Sequence, residues 1–334
     1  MKLDLSHASS LLERIHGLKV AVLGDLILDE YLFGEVSRIS PEAPVPIVRI
    51  VREKAVLGGA ANVAANLKAL GAEPLLVGTL QKDAAGGRLM ELLARSGIAN
   101  EHLVVDPSRP TTIKTRVIGQ TQQMLRIDRE ELRALGEPAV VGLIGQLRNC
   151  LPGTGALIIS DYAKGIVGPL VMGEVRALCT RHQIPWVVDP KPAHRALYQG
   201  ATLMTPNRKE TAELSGLPAD GDAEVAAAGN LLMTTLGLSG LLITRSEKGM
   251  ALFAPDAEHS DPWMIPTMAQ EVFDVSGAGD TVIAAFSAAV AAGADWKDAA
   301  MLANAAAGIV VAKMGTATVT AEELLAHYHD QEAL

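Results

Sequence analysis

Short apolar runs, each stopped by a small or polar residue, constrain this chain most. Val20-Ala21-Val22-Leu23 stops at Gly24-Asp25, Leu75-Leu76-Val77 at Gly78, and Leu157-Ile158-Ile159 at Ser160-Asp161. Trp186-Val187-Val188 stops at Asp189-Pro190, Leu203-Met204 leads to Thr205-Pro206-Asn207, and Leu241-Leu242-Ile243 leads to Thr244-Arg245. Continuous rather than alternating apolarity suits strands buried on both faces, as in a parallel sheet. Helical patterns fall between the runs, at Ala60 to Leu70, Gly86 to Ser96, Pro169 to His182 and Ala223 to Leu236. This βα alternation predicts an α/β fold, a doubly wound and mostly parallel sheet flanked by helices. The residues that stop the strands then gather on the edge where such sheets bind ligands. Each alone reads equally as a cap for the next helix; together they read as a site.

Composition supports a large core of that kind. Of 334 residues, 49% are hydrophobic and only 3% aromatic, which suits helix-on-sheet packing better than a β-sandwich. A net charge of -9 argues against a nucleic-acid partner. Cys150 and Cys179 have no metal-like or redox-like spacing, so a reduced, cytoplasmic protein is expected. The start shows no secretory pattern. The longest apolar run, near Thr281 to Gly293, is too short for a bilayer and reads as a buried helix, so no membrane partner is expected.

Two stretches break the alternation. Tyr31 to Lys54 mixes apolar residues with Pro41, Pro44 and Pro46, and Thr111 to Arg129 alternates apolar with polar residues. Both read as strands outside the main sheet, prolines being confined to edges. They predict a small β lid, from about 31–54 and 111–129, over the strand ends. An exposed lid edge has to be covered, so a homodimer through the lid is expected.

Gly277-Ala278-Gly279-Asp280 precedes a strongly helical stretch. Glycines permit a tight turn and close backbone approach, and free N–H groups at a helix start attract an anion. Asp280 then stands beside that anion. Either it is an ordinary first-turn acid, or it is a base that takes a proton from an attacking hydroxyl. The chain has no Gly-x-x-x-x-Gly-Lys-Ser/Thr loop, dinucleotide glycine fingerprint, Gly-x-Ser-x-Gly elbow or zinc motif.

Asp274 to Thr281 resembles the C-terminal signature of the ribokinase-like carbohydrate kinases, and Leu57-Gly58-Gly59-Ala60-Ala61-Asn62-Val63-Ala64 resembles their N-terminal glycine signature. The resemblance covers essentially the whole chain and implies one ribokinase-like domain over residues 1–334. Within the family, Gly24 to Tyr31, Gly34 to Pro46, Ser160 to Gly165 and Asp189-Pro190-Lys191 are similar to the kinases of D-glycero-β-D-manno-heptose 7-phosphate. The implied reaction is ATP-dependent phosphorylation of the anomeric 1-hydroxyl to the 1,7-bisphosphate, on the route to ADP-heptose and lipopolysaccharide core. Such kinases are often fused to a C-terminal nucleotidyltransferase; ending at Leu334, this chain is expected to be of the stand-alone type.

The resemblance also implies roles. Asp280 is the base, with Gly277, Ala278 and Gly279 forming the anion hole. Asp25 and Asp29, expected at the end of the first strand, accept sugar hydroxyls; Gly58, Gly59 and Asn62 approach the same sugar. Arg38, Arg116 and Lys191 are candidates for the 7-phosphate, each also readable as an ordinary surface charge. Asn207 and Glu210, three apart at a helix start, organise Mg²⁺, mostly through water. ATP rests over Thr244, Ser246 and Gly249, beside Gly277, Gly279 and Asn304, with a monovalent cation near Asp274. Another sugar kinase of the family, or a non-catalytic sugar sensor, is the alternative reading.

Overall fold

The structure, a computed structural model, describes residues 3–120, 122–254, 261–269 and 271–332. Among them the apolar runs become strands: β1 Lys19–Gly24, β2 Leu26–Ile39, β3 Pro46–Gly59, β4 Glu73–Leu80, β5 Leu103–Val105, β6 Thr112–Gly119 and β7 Gln122–Arg129. There follow β8 Ala156–Ser160, β9 Trp186–Asp189, β10 Leu203–Met204, β11 Gly240–Thr244, β12 Met250–Phe253 and β13 Trp263–Ile265. The large sheet has the order β13-β12-β11-β10-β9-β8-β1-β4-β5. It is parallel from β5 to β11, and β12 and β13 close one edge antiparallel.

Both faces of this sheet are covered, which is why its strands carry no polar alternation. Val20 and Val22 of β1 enter one core, with helices such as Ala60–Ala69, Ala278–Ala291 and Trp296–Val310. Ala21 and Leu23 enter the other, with Glu137–Cys150, Pro169–His182 and Asp222–Leu236. Helix Ala278–Ala291 is buried on every side from Asp280 to Ala289, as suits a helix that is apolar nearly all round. No helix among the described residues is long and apolar enough to cross a membrane.

The second sheet, β3-β2-β6-β7, is the lid. It is larger than the sequence suggested. β2 starts at Leu26 and β3 runs to Gly59, because Leu26-Ile27-Leu28 and Val56-Leu57 continue the strands with no turn residue to stop them. Asp29 therefore lies on lid strand β2, not at the end of β1, and Gly58 and Gly59 end a lid strand. The chain leaves the lid at Gly59 (φ +57°), where a Cβ would stand 2.4 Å from the Asp25 carbonyl oxygen. The Ala60 N–H donates to that same oxygen at 3.0 Å, so the two roots of this hairpin are tied together.

The parallel register brings the carboxyl ends of β1, β8, β9, β10 and β11 to one edge. At β1, Gly24 pairs with Ser160, and a Cβ on Gly24 would meet the Ser160 backbone oxygen at 2.2 Å. Backbone has little room to yield. Gly24→Ala should lower unfolding stability by about 1–3 kcal/mol, the usual cost of overpacking, read from a shift in the urea midpoint at unchanged slope.

Candidate active site

Asp280 is the third residue of helix Ala278–Ala291 and is 3% exposed. Gly277 caps that helix in the left-handed region (φ +81°), and a Cβ there would meet Asn62 Nδ2 and Thr316 Cγ2, each at 2.8 Å. A Cβ on Gly279 would meet nothing within 4 Å. The Ala278 N–H donates to the Val275 carbonyl, so the amides of Gly279 and Asp280 remain as first-turn donors without a helical acceptor.

Two side chains hold the carboxylate. Asn62 Nδ2 donates to Asp280 Oδ2 at 2.7 Å, and the Tyr162 hydroxyl donates to Oδ1 at 3.0 Å. Asn62 rides on the helix that leaves the lid at Gly59. That helix is keyed to the Asp280 helix by Asn66, which donates to the Asn62 carbonyl and accepts from the Thr281 hydroxyl. Burial pushes Asp280 up to about 6, against the two hydrogen bonds, which favour its charged form. Burial and the neighbouring Asp280 raise the Tyr162 phenol well above its ordinary value, so it stays a donor.

Tyr162 was not among the expected site residues, although it lies in the Ser160 to Gly165 segment that carried part of the resemblance. Its loop is fastened by two buried acids. Asp25 accepts the N–H groups of Tyr162, Lys164 and Ile166 at 2.9, 3.0 and 3.4 Å. Asp161 accepts the N–H of Ala163, which sits at φ +55°, and also bonds His194 and the Tyr198 hydroxyl. Asp25, expected to face sugar hydroxyls, thus turns its carboxylate to the loop backbone. Burial raises it to about 6.

Lys191, offered from sequence for a distant phosphate, instead pairs with Glu210 and lies 5.5 Å from the centroid of the Tyr162 ring. Burial, then the Glu210 charge, pushes the adjacent Asp189 well up. Asn207 and Glu210 share a capping box: Glu210 N–H donates to Asn207 Oδ1 at 2.9 Å and Asn207 N–H to Glu210 Oε2 at 3.1 Å. With these atoms engaged, and no cluster of three potential ligands among the described residues, the pair suits a hydrated ion better than direct ligation.

Thr244 closes β11 and bridges to Asn207. Ser246 (φ +52°) and Gly249 (φ +79°) shape the turn into β12. A Cβ on Gly249 would meet the Ile265 oxygen at 2.0 Å. Asn304 donates to the Pro266 carbonyl at 2.8 Å, so its amide braces the chain after β13. Asp274 accepts from the N–H groups of Ser276 and Gly315 at 2.9 and 3.0 Å.

On the lid, Arg116 donates to Asp29 at 2.5 Å, and a Cβ on Gly58 would meet the other Asp29 oxygen at 2.1 Å. Arg38 does not join them. It is exposed, nine residues farther along β2, about 30 Å at the usual strand rise. Residue type alone could not reveal how far the strand would carry it.

A profile of the pfkB family carbohydrate kinases matches residues 18–323. Over 324 residues the chain is 45% identical to the bifunctional protein HldE of Trichlorobacter lovleyi, covering 97% of this chain and 65% of that protein. With HldE of Paramagnetospirillum magneticum the identity is 43% over 331 residues, covering 98% and 67%. The chain therefore spans about two thirds of the length of these relatives. Among solved structures, the ribokinase of Arabidopsis thaliana complexed with ribose and ATP superposes with a TM-score of 0.74 at 21% identity, covering 94% of this chain and 99% of that one. Phosphofructokinase-2 of Escherichia coli, with substrates and products, gives 0.77 at 18% identity over 94% and 99%. The shared fold is ribokinase-like.

The Asp280 environment has a measurable consequence for stability. Its carboxyl rises from 3.8 unfolded to about 6 folded. The folded state is favoured in full below pH 3.8, and that contribution is lost as pH rises through about 6. About two units correspond to about 3 kcal/mol. Asp280→Asn should therefore unfold in urea with a higher free energy than the parent at pH 8, by an amount approaching that figure, and the gap should close toward pH 4. A gap that stays constant with pH would show that the carboxyl is not raised.

Proposed function

The chain belongs to the pfkB family of carbohydrate kinases, and we propose that it phosphorylates the anomeric 1-hydroxyl of D-glycero-β-D-manno-heptose 7-phosphate with ATP. The single observation that carries this reading is Asp280: a buried carboxylate, held between Asn62 and Tyr162, at a helix start whose first amides are free for an anion. A kinase needs a proton acceptor beside its phosphate cradle. The choice of heptose 7-phosphate rests on the similarity of the Gly24 to Tyr31, Gly34 to Pro46, Ser160 to Gly165 and Asp189 to Lys191 segments to kinases of that sugar.

In the proposed reaction the sugar lies between the strand ends and the lid, against Asp29, Gly58, Gly59 and Asn62. Asp280 accepts the proton of the anomeric hydroxyl as that oxygen attacks the γ-phosphorus in line. Asn62 and Tyr162 fix the orientation of the carboxylate by engaging one lone pair on each oxygen, leaving the remaining lone pairs for the proton. The Gly279 and Asp280 amides face the charge on the transferred group. The glycine cradle fits phosphates of ATP, with Thr244, Ser246 and Gly249 on its nucleotide side. Asn207 and Glu210 would hold Mg²⁺ through its water shell, and the ion supplies charge neutralisation on the β- and γ-phosphates. Asp274 belongs to the same reading as the acid beside a monovalent cation. A cytoplasmic homodimer joined through the lid completes it; Val51, Leu125 and Ile127 are exposed there.

ATP consumption with heptose 7-phosphate, fructose 6-phosphate and ribose as rival acceptors tests the substrate. Heptose 7-phosphate should give the highest kcat/KM, with the new phosphate on C1 by phosphorus NMR. Asp280→Asn should lower kcat by about 10²–10⁴, the span of general-base catalysis, while ATP still binds. Near-normal turnover in that variant would exclude Asp280 as the base.

A further inference from the structure

The residues named so far leave a remote phosphate without a receptor, since Lys191 is taken by Glu210, Arg116 by Asp29, and Arg38 stands far out on the lid. A different basic cluster lies at the root of the lid. Lys114 is the register partner of Asp29 on β6, so the two side chains share the face of the lid that also carries Arg116. Lys164 projects from the loop that places Tyr162. Both ammonium groups converge on Glu130, just past β7: Lys164 Nζ lies 2.8 Å from Oε1 and Lys114 Nζ 3.7 Å from Oε2.

These charges are withdrawn from water. Lys114 and Lys164 side chains are each 14% exposed and Glu130 is 18% exposed. Asp128, the other acid near Lys114, is taken by a two-pronged contact from Arg126 at 2.9 and 3.0 Å, with Lys114 at 3.4 Å. Two lysines thus share one acid that is not otherwise paired. Oε2 of Glu130 is buried and has no hydrogen-bond partner among the described residues. A carboxylate bridging two ammonium groups marks a position that suits an oxyanion. Beside it lies a narrow cleft lined by Asp25, Arg109, Thr111, Thr112 and Lys164.

We infer that Lys114 and Lys164 form the receptor for the phosphate carried by the acceptor sugar, with Glu130 as the internal anion that the phosphate displaces. The inference rests on the reading of the chain as a sugar-phosphate kinase and adds to it the residues that select for the phosphate. Lys164 stands two residues from Tyr162, so one loop carries both the group that positions the base and a group that senses the far end of the acceptor. Glu130 offsets part of the charge of the two lysines when no phosphate is there.

The test compares kcat/KM for heptose 7-phosphate with that for the same heptose lacking the phosphate. Lys164→Met and Lys114→Met should each lower that preference by about 10- to 100-fold, the worth of a charge-assisted hydrogen bond. Glu130→Gln, which removes the competing anion, should lower KM for the phosphorylated sugar. Equal losses on both acceptors would overturn the assignment and leave the lysines as clamps between lid and sheet. Should the parent enzyme not turn over heptose 7-phosphate, the proposed substrate fails on its own. Melting shifts with fructose 6-phosphate against fructose, without ATP, then test the receptor separately. A phosphate-dependent shift that survives in the Lys114→Met, Lys164→Met double variant would sink it.

Discussion

Everything at this site depends on keeping one carboxylate charged, oriented and dry. Asp280 stands beside amides that are suited to an anion, inside a protein that gives it almost no water. Burial favours its neutral form; the Asn62 amide and the Tyr162 hydroxyl favour the charged one. The resulting compromise, about 6, leaves most of the group ionised at neutral pH yet basic enough to take a proton. Three separate stretches of chain have to arrive correctly for this to work: the Gly277 cap, the helix that leaves the lid at Gly59, and the loop after β8. Asp25 and Asp161 are themselves buried to fix that last loop, so acids stabilised by backbone amides position the acid that does chemistry.

The local charge pattern follows from the same constraint. Asp29, Asp161, Asp189, Glu210 and Asp280 lie close enough to influence one another, with Lys191 set among them and Arg116 paired to Asp29. Burial pushes Asp189 toward protonation and the Glu210 charge adds to it, while the Lys191 charge works the other way. Such a lining is hostile to a polyphosphate unless cations accompany it. The mild excess of acid is thus compatible with a nucleotide that brings its own metal, and the glycine-rich helix start offers dipoles where a further fixed charge would crowd.

Much of this was legible in the chain. Strands buried on both faces announce themselves as unbroken apolar runs, so β1, β8, β9, β10 and β11 and the polar residues after them could be placed in order. Gly58-Gly59 and Gly277 were legible because close approach and a left-handed turn leave few other residues possible. Partnerships were not legible. Lys191 follows a strand end, as the sequence indicated, but which acid it meets depends on the turn of the next helix. Asp29 and Arg38 depended on where a 14-residue strand begins, and no turn residue after Asp25 marks that point. Tyr162 was hidden because a tyrosine after a strand has no fixed direction; a loop held by Asp25 and Asp161 supplies one.

The lid has one further property. It is joined to the large sheet by four crossings of the chain, at Asp25, Gly59, Thr111 and Glu130. A plate fixed along one side in this way cannot swing like a flap on a single strap; it can only tilt about that line. The line runs through the points already described: Asp25 grips the Tyr162 loop, Gly59 starts the helix that bears Asn62, and Glu130 holds Lys164. Tilt of the plate is thereby geared to both supports of Asp280, and the posture of the cover and the readiness of the base become one mechanical variable.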